Sequence, residues 1–251
     1  MSGRAGTVVE EIVSAICVAI FRGEHKVGEK LPPLRTLAKT YDVTLPTMQR
    51  VIARMEELGL IEVRQGSGVT VLEPLSHAHP SAIPYWLEAL RDEPAEASRY
   101  LGDFLELRND LGLATLLKIR PLLQSSEGER VAAALEEFAR SAATMTPEEA
   151  FEADFELMRR LIALKPQVAY STMLNVLASI VRGLPQLVEM IYDQPERNAK
   201  GYQAVLALAR DKKVTDTELR DQVASVLKAF DMITVSKFRA LLELGLEQEG
   251  A

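Results

Sequence analysis

The stretch Leu31–Gly68, LPPLRTLAKTYDVTLPTMQRVIARMEELGLIEVRQGSG, decides the fold of the first part of this 251-residue chain. It predicts two short helices, at Leu34–Tyr41 and Leu45–Leu58, because apolar residues recur every three or four positions in both. Thr44 is expected to cap the second helix, since a threonine hydroxyl can accept a hydrogen bond from a free amide of the first turn. The pattern is typical of a helix-turn-helix.

Two short strands are predicted after these helices, at Ile61–Arg64 and Val69–Leu72, and Gln65–Gly68 connects them. The two glycines of this connection can adopt the positive φ angles that a tight hairpin needs. A further helix is predicted upstream, at Val8–Phe21. Three helices followed by a two-stranded wing predict a winged helix-turn-helix, in which the second helix of the pair enters the major groove of DNA.

The charge of the chain is unevenly distributed. The whole sequence has 29 Lys and Arg against 36 Asp and Glu, which gives a net charge of −7. Residues 1–75 hold nine of each sign, and residues 30–68 hold six basic and four acidic side chains. Because DNA binding depends on cations that neutralise phosphates, the acidic total does not exclude a DNA-binding N-terminal part.

Composition excludes several other classes of protein. The single cysteine, Cys17, excludes an intramolecular disulfide and a multi-cysteine zinc site, and it suits a reducing cytoplasm, where we expect the protein to act. The apolar stretch Ile12–Phe21 is too short to span a bilayer and lacks the pattern of a signal peptide. We therefore expect no membrane partner.

A polar, proline-rich stretch at residues 75–84 indicates a linker. It separates a predicted DNA-binding domain, residues 1–74, from a second domain, residues 85–251. The second domain has helical periodicity throughout and no run that alternates with period two over the length of a strand. The predicted fold class is therefore mainly α: a winged helix-turn-helix followed by an all-α bundle.

The order of motifs in residues 6–73 resembles the GntR family of bacterial transcription regulators. The residues that carry the resemblance are Gly28, Leu31-Pro32, Arg35, Leu37-Ala38, Val43, Thr47, Leu58-Gly59-Leu60-Ile61 and Arg64-Gln65-Gly66-Ser67-Gly68. The resemblance implies double-stranded DNA as a partner, with contacts from Arg35, Thr44, Thr47, Gln49, Arg50, Arg64, Gln65, Gly66 and Gly68. Two arginines that family members use on DNA are replaced by Leu45 and Gln49. Gln49 can still make a bidentate contact to adenine.

The second domain is similar to the helical effector-binding and dimerising domain of the FadR-like subfamily. This similarity rests on Phe104–Asn109, on Phe151–Leu164 and on the order of the helices. Many members of that group bind a divalent metal through one Asp and three His. Here His25, His77 and His79 all precede residue 80, so we expect neither a metal site nor a cofactor. The similarity implies a homodimer and a small effector, an acyl-CoA or another organic acid.

Polar residues within apolar helix faces, together with one adaptable methionine, are the candidates for effector contact. They are Arg108, Asp154, Met158, Tyr170, Asn175, Arg182 and Tyr202. For each polar candidate, the alternative is a hydrogen bond or salt bridge between helices. Residues 85–251 contain no His, no Cys and no Gly-rich phosphate loop, which argues against an enzyme.

Together these observations predict a repressor that binds a pseudo-palindromic operator as a homodimer, with an affinity that the effector changes. The replaced arginines leave a second hypothesis open. In that hypothesis the chain is an interaction or sensor protein whose winged helix has lost sequence-specific DNA binding.

Overall fold

A computed structural model describes residues 2–249, and the chain divides between Glu93 and Pro94 into two compact units. The N-terminal unit contains five α-helices and two β-strands within the described residues. They are α1 (Ser2–Phe21), α2 (Leu34–Thr40), α3 (Leu45–Glu57), β1 (Ile61–Arg64), β2 (Gly68–Val71), α4 (Pro74–His77) and α5 (Ile83–Ala89). The predicted helix-turn-helix and wing are thus both present, and the mainly helical fold class is confirmed.

The core of the N-terminal unit forms where α1 packs against α3. Val13 and Cys17 of α1 and Met48, Val51 and Met55 of α3 are all fully buried. Burial raises the pKa of the Cys17 thiol to about 12, so this side chain stays protonated at neutral pH and packs as a small apolar residue.

Local signals place the ends of α3 and the wing. The Thr44 hydroxyl accepts a hydrogen bond from the Thr47 amide at 3.4 Å and so caps α3, as predicted. β1 and β2 are antiparallel, with Ile61 opposite Val71. Lys30 forms an additional antiparallel bridge to Thr70, so the segment before α2 also pairs with the wing.

Residues 75–84, which were expected to form a linker, instead fold onto the N-terminal unit. The backbone N–H of His79 donates to the carbonyl of Leu58 at 2.9 Å. Beyond it α5 packs on α1, and the rings of Phe21 and Trp86 stack with centroids 4.8 Å apart. The prolines lie in the first turns of short helices, where proline is tolerated, and the apolar residues after them supply a face that packs. The structure therefore divides the chain later than the sequence suggested.

The C-terminal unit is a bundle of seven helices within the described residues. They are α6 (Pro94–Ile119), α7 (Ser126–Ser141), α8 (Pro147–Ala163), α9 (Val168–Arg182), α10 (Pro185–Ile191), α11 (Pro195–Arg210) and α12 (Asp216–Glu249). The long helices α6 and α12 make the most extensive contact of the bundle. Five of these helices, α6, α8, α9, α11 and α12, form most of the wall of a cavity that is described below.

No single helix among residues 2–249 is long and apolar enough to cross a bilayer. Helices α9 and α10 meet the length and composition criteria only as a pair, and they are bent by 101° where they meet.

Gly59 follows α3 with a φ of +70°, and a Cβ at this position would lie 2.1 Å from the carbonyl oxygen of His77. Gly66 in the wing has a similar φ of +75°, but nothing lies within 4 Å of its Cβ position. The left-handed backbone costs both alanine variants about 1–2 kcal/mol. We expect Gly59→Ala to lose clearly more stability than Gly66→Ala in urea unfolding, because only Gly59→Ala also displaces residues 74–78. Equal losses would contradict this close contact.

Candidate nucleic-acid interface and effector cavity

The outer face of α3 is open to solvent because its inner face is buried. Met48, Val51 and Ile52 pack into the core, which leaves Gln49 and Arg50 exposed between them. At the N-terminus of this helix, Thr44 is exposed and Thr47 is partly buried, and their hydroxyl oxygens lie 2.9 Å apart in a hydrogen bond. These four polar side chains can reach phosphates or base edges.

The first turn of α2 and the wing carry the other predicted DNA contacts. Arg35, Arg64 and Gln65 are exposed, and Arg64 pairs with Glu62 at 3.0 Å. Gly66 and Gly68 have φ angles of +75° and +95°, as a tight wing turn requires. All nine predicted residues thus lie on α2, at the start of α3 or in the wing, and their contact with DNA stays a prediction.

Sequence reasoning missed Lys30 in the wing. Its Nζ donates to the Ser67 hydroxyl at 3.2 Å, which brings an additional cation to the wing turn. Residues 26–29 before it are exposed, and Leu31 after it is in the core, so no alternating pattern indicates the pairing of this segment with the wing.

A cavity of about 240 Å³ lies inside the C-terminal unit. Side chains from α6, α8, α9, α11 and α12 form most of its wall, and most of them are apolar. Five of the seven predicted effector residues line it: Arg108, Asp154, Met158, Tyr170 and Tyr202.

The other two predicted residues, Asn175 and Arg182, are exposed and do not line the cavity. Each directly follows a lining residue of α9, and one step along a helix turns a side chain by about 100°. Arg182 instead makes two hydrogen bonds to Glu152, at 2.7 and 2.8 Å, and lies over the Phe151 and Phe155 rings. Its role in the structure is the salt bridge that the sequence left open as the alternative.

The polar part of the cavity is centred on Asp154 of α8, which is only 7% exposed. Its Oδ2 accepts hydrogen bonds from the hydroxyls of Tyr192 and Tyr202, the second at 2.7 Å. Its Oδ1 is buried and has no hydrogen-bond partner among the described residues. Beside it, Arg108 pairs with Asp231 at 2.9 Å.

Burial sets the protonation of this cluster. It raises the pKa of Asp154, and the hydrogen bonds from Tyr192 and Tyr202 and the charge of Arg108 oppose that rise. Burial also raises the pKa values of Tyr192 and Tyr202 well above 10, so both hydroxyls remain donors. Burial also raises the pKa of Asp231, and the charge of Arg108 opposes this rise.

Tyr192, Asn109 and Asp231 belong to this cluster and were not predicted. The Nδ2 group of Asn109 donates to Asp231, a residue 122 positions later in the chain. Asp231 stands among apolar residues of α12, in the run AFDMIT, and this acidic interruption is the signal that could have indicated it.

Asp154→Asn tests the cost of burying this carboxylate. Burial raises the pKa of Asp154 in the folded protein above its value in the unfolded chain. The protein is therefore most stable below the ordinary carboxyl pKa, and it loses this stability as the pH rises through the folded pKa of Asp154. Removing the buried charge should stabilise the C-terminal unit near neutral pH by about 1 kcal/mol, or about 2–4 °C in Tm. Calorimetry near pH 5 and near pH 7 should show a smaller pH dependence for the variant.

Glu156→Gln is the matched control, because Glu156 is exposed on the same helix. A Tm for Asp154→Asn at or below that of the wild type near neutral pH would contradict the expectation.

Comparison with known proteins gives matches to the N-terminal unit and to the fold as a whole. Residues 8–71 match the model of the bacterial regulatory proteins of the gntR family. The HTH-type transcriptional regulator Rv0494 of Mycobacterium tuberculosis is 35% identical over 105 residues, which cover 42% of this chain and 41% of that protein. RmpR, an HTH-type transcriptional regulator of Mycobacterium gastri, is 26% identical over 83% of this chain and 73% of its own length.

A solved structure extends the likeness of fold. It is that of Lar, described as controlling the expression of the Listeria monocytogenes agr system, with a TM-score of 0.53 and 15% identity over 89% of this chain and 95% of Lar. The chain spans only 41%, 32% and 32% of the first three curated relatives that it matches.

The two curated relatives described above are named as transcriptional regulators, in agreement with the expectation that this chain is not an enzyme. The family match covers α1 from residue 8 onward, the paired helices α2 and α3, and both strands of the wing. The N-terminal unit therefore matches the gntR family of bacterial regulatory proteins over its helix-turn-helix and wing.

Proposed function

We propose that this protein is a repressor that binds a pseudo-palindromic operator as a homodimer and releases or tightens its hold on DNA when a small molecule occupies the C-terminal cavity. It would act on chromosomal DNA in the cytoplasm. The observation that carries the proposal is the open face of α3, where Gln49 and Arg50 are exposed in a domain of a DNA-binding family.

The predicted contacts divide into two kinds. Arg35, Arg50 and Arg64 are cations suited to phosphates, which position the protein and make its affinity depend on salt. Gln49 carries an amide that can pair with an adenine edge in the major groove and so contributes to sequence preference. Thr44 and Thr47, at the N-terminus of α3, suit phosphate contacts.

The cavity supports regulation by a small molecule. Ligand sites are usually concave and mostly apolar, with a few placed polar groups, and the cavity around Asp154 has this composition. The family resemblance suggests an organic acid or an acyl-CoA. The cavity volume of about 240 Å³ is small for a whole coenzyme A thioester and suits an acyl chain or a small organic molecule. The effector would change DNA affinity only if it bound one conformation of the protein more tightly than the other.

An exposed apolar stripe on α12 supports the homodimer. Val226, Ile233 and Leu244 are 37%, 43% and 56% exposed, and their spacings of seven and eleven residues place them on one face of the helix. Large exposed apolar side chains in a row are typical of a protein interface.

One observation favours the second function, a sensor without specific DNA binding. Leu45 is 36% exposed at the start of α3, where family members use an arginine on DNA. An apolar side chain there gains nothing from a phosphate. The two functions differ in whether the chain prefers one DNA sequence over others.

A fluorescence titration with DNA from upstream of the gene, repeated at two salt concentrations, tests DNA recognition. We expect Arg35→Ala to weaken binding to all sequences and to lower the salt slope by about 0.9, the effect of one lost phosphate contact. Gln49→Ala should cost about 1–3 kcal/mol on the preferred site and little on random DNA. Arg130→Ala, an exposed change in the C-terminal unit, is the control. Binding that is absent or indifferent to sequence would favour the sensor function.

Sedimentation analysis of Ile233→Glu and Leu244→Glu tests the homodimer. A buried glutamate without a partner is costly, so we expect both variants to dissociate at concentrations where the wild type is dimeric. Ala224 is exposed on the opposite face of α12, so Ala224→Glu should leave the dimer intact. A wild type that is monomeric, or variants as dimeric as the wild type, would exclude this stripe as the interface.

A further inference from the structure

One oxygen of Asp154 has no hydrogen-bond partner although the residue is more than nine-tenths buried. Both tyrosine hydroxyls bind Oδ2, and Oδ1 is left without a donor among the described residues. Asp154 lines the cavity. A buried carboxylate oxygen without a donor is costly, so a ligand that supplies a donor gains from satisfying it.

The charges next to Asp154 do not favour an anion. Arg108 is the cation of the cluster, and its Nη2 is already paired with Asp231 at 2.9 Å. Asn109 donates to the same carboxylate. One guanidinium thus faces two carboxylates, so a second anion beside Asp154 would meet like charge in a medium of low dielectric.

Away from this cluster the wall is mostly apolar, and Thr115 and Tyr170 are its polar members. Leu116, Leu157, Leu177 and Val223 are buried and line the cavity, and Met158 adds a flexible thioether. Such a wall accepts a hydrocarbon body, and the methionine can adapt to its shape.

From this geometry we propose that the cavity binds an uncharged or cationic apolar molecule whose hydroxyl or amino group donates a hydrogen bond to Oδ1 of Asp154. Arg108, Asn109 and Asp231 position the cluster beside it. The inference rests on the proposed function, in which this cavity holds the effector. It replaces the organic acid suggested by the family resemblance with a ligand that carries a donor.

Three probes with the same six-carbon chain separate the end groups: 1-hexanol, hexylamine and hexanoate. Calorimetric titration of the full-length wild type near pH 8 should give measurable binding for the alcohol and the amine, and a Kd for hexanoate about tenfold or more weaker than for hexylamine. Hexanoate binding as tightly as hexylamine would overturn the proposal. Failure of all three probes to bind would overturn it as well, because the cavity would then not accept such a molecule.

Asp154→Asn tests the acceptor directly. The variant should lose about tenfold or more in affinity for hexylamine, since an uncharged NH2 group replaces the acceptor oxygen, and should lose less toward 1-hexanol, whose hydroxyl can accept from that NH2 group instead of donating. Glu156→Gln removes the same charge from the exposed face of α8 and should behave as the wild type. Unchanged hexylamine binding by Asp154→Asn would contradict the assignment. The order of the probes on the wild type remains decisive if this variant does not fold.

Repeating the DNA titration with saturating hexylamine separates this inference from the proposed function. If the cavity prefers the alcohol and the amine to hexanoate but DNA affinity does not change, the result supports the binding site and excludes its role in regulation. A change in DNA affinity caused by hexanoate alone would support regulation and overturn the donor site.

Discussion

The packing of α3 against α1 is the interaction on which the proposed DNA-binding face depends. Met48, Val51 and Met55 are completely buried, and this fixes the rotation of α3 about its own axis. Because side chains on a helix are spaced by about 100°, fixing the inner face also fixes which residues point outward. Gln49 and Arg50 owe their exposure to this burial, so the recognition surface is a consequence of the core.

The C-terminal unit shows the opposite arrangement, with polar groups inside. Asp154, Tyr192 and Tyr202 form a network that satisfies one carboxylate oxygen and leaves the other buried without a donor among the described residues. Such a network is tolerated when its groups are paired and is costly where one is not. An apolar residue at position 154 would pack without the free-energy cost of the unpaired oxygen. A buried carboxylate at this position is therefore what a binding site would need.

Local sequence predicted the parts of the fold that depend on neighbours in the chain. The cap at Thr44, the wing glycines and the period of each helix act over a few residues, so their patterns are visible in the sequence. The pairing of Asn109 with Asp231 joins residues 122 apart, and no local pattern contains it. The docking of residues 75–93 was missed for the same reason, because prolines indicate a turn but not the surface on which the next helix packs.

The docking of α5 sets the limits of the smallest piece of this chain that should keep the winged helix intact. A fragment that stopped at residue 74 would expose the face of Phe21 that stacks on Trp86, and it would leave the Leu58 carbonyl without the amide of His79. Arg22 would also lose its partner Asp92. An autonomous fragment with an intact winged helix must therefore extend to Glu93.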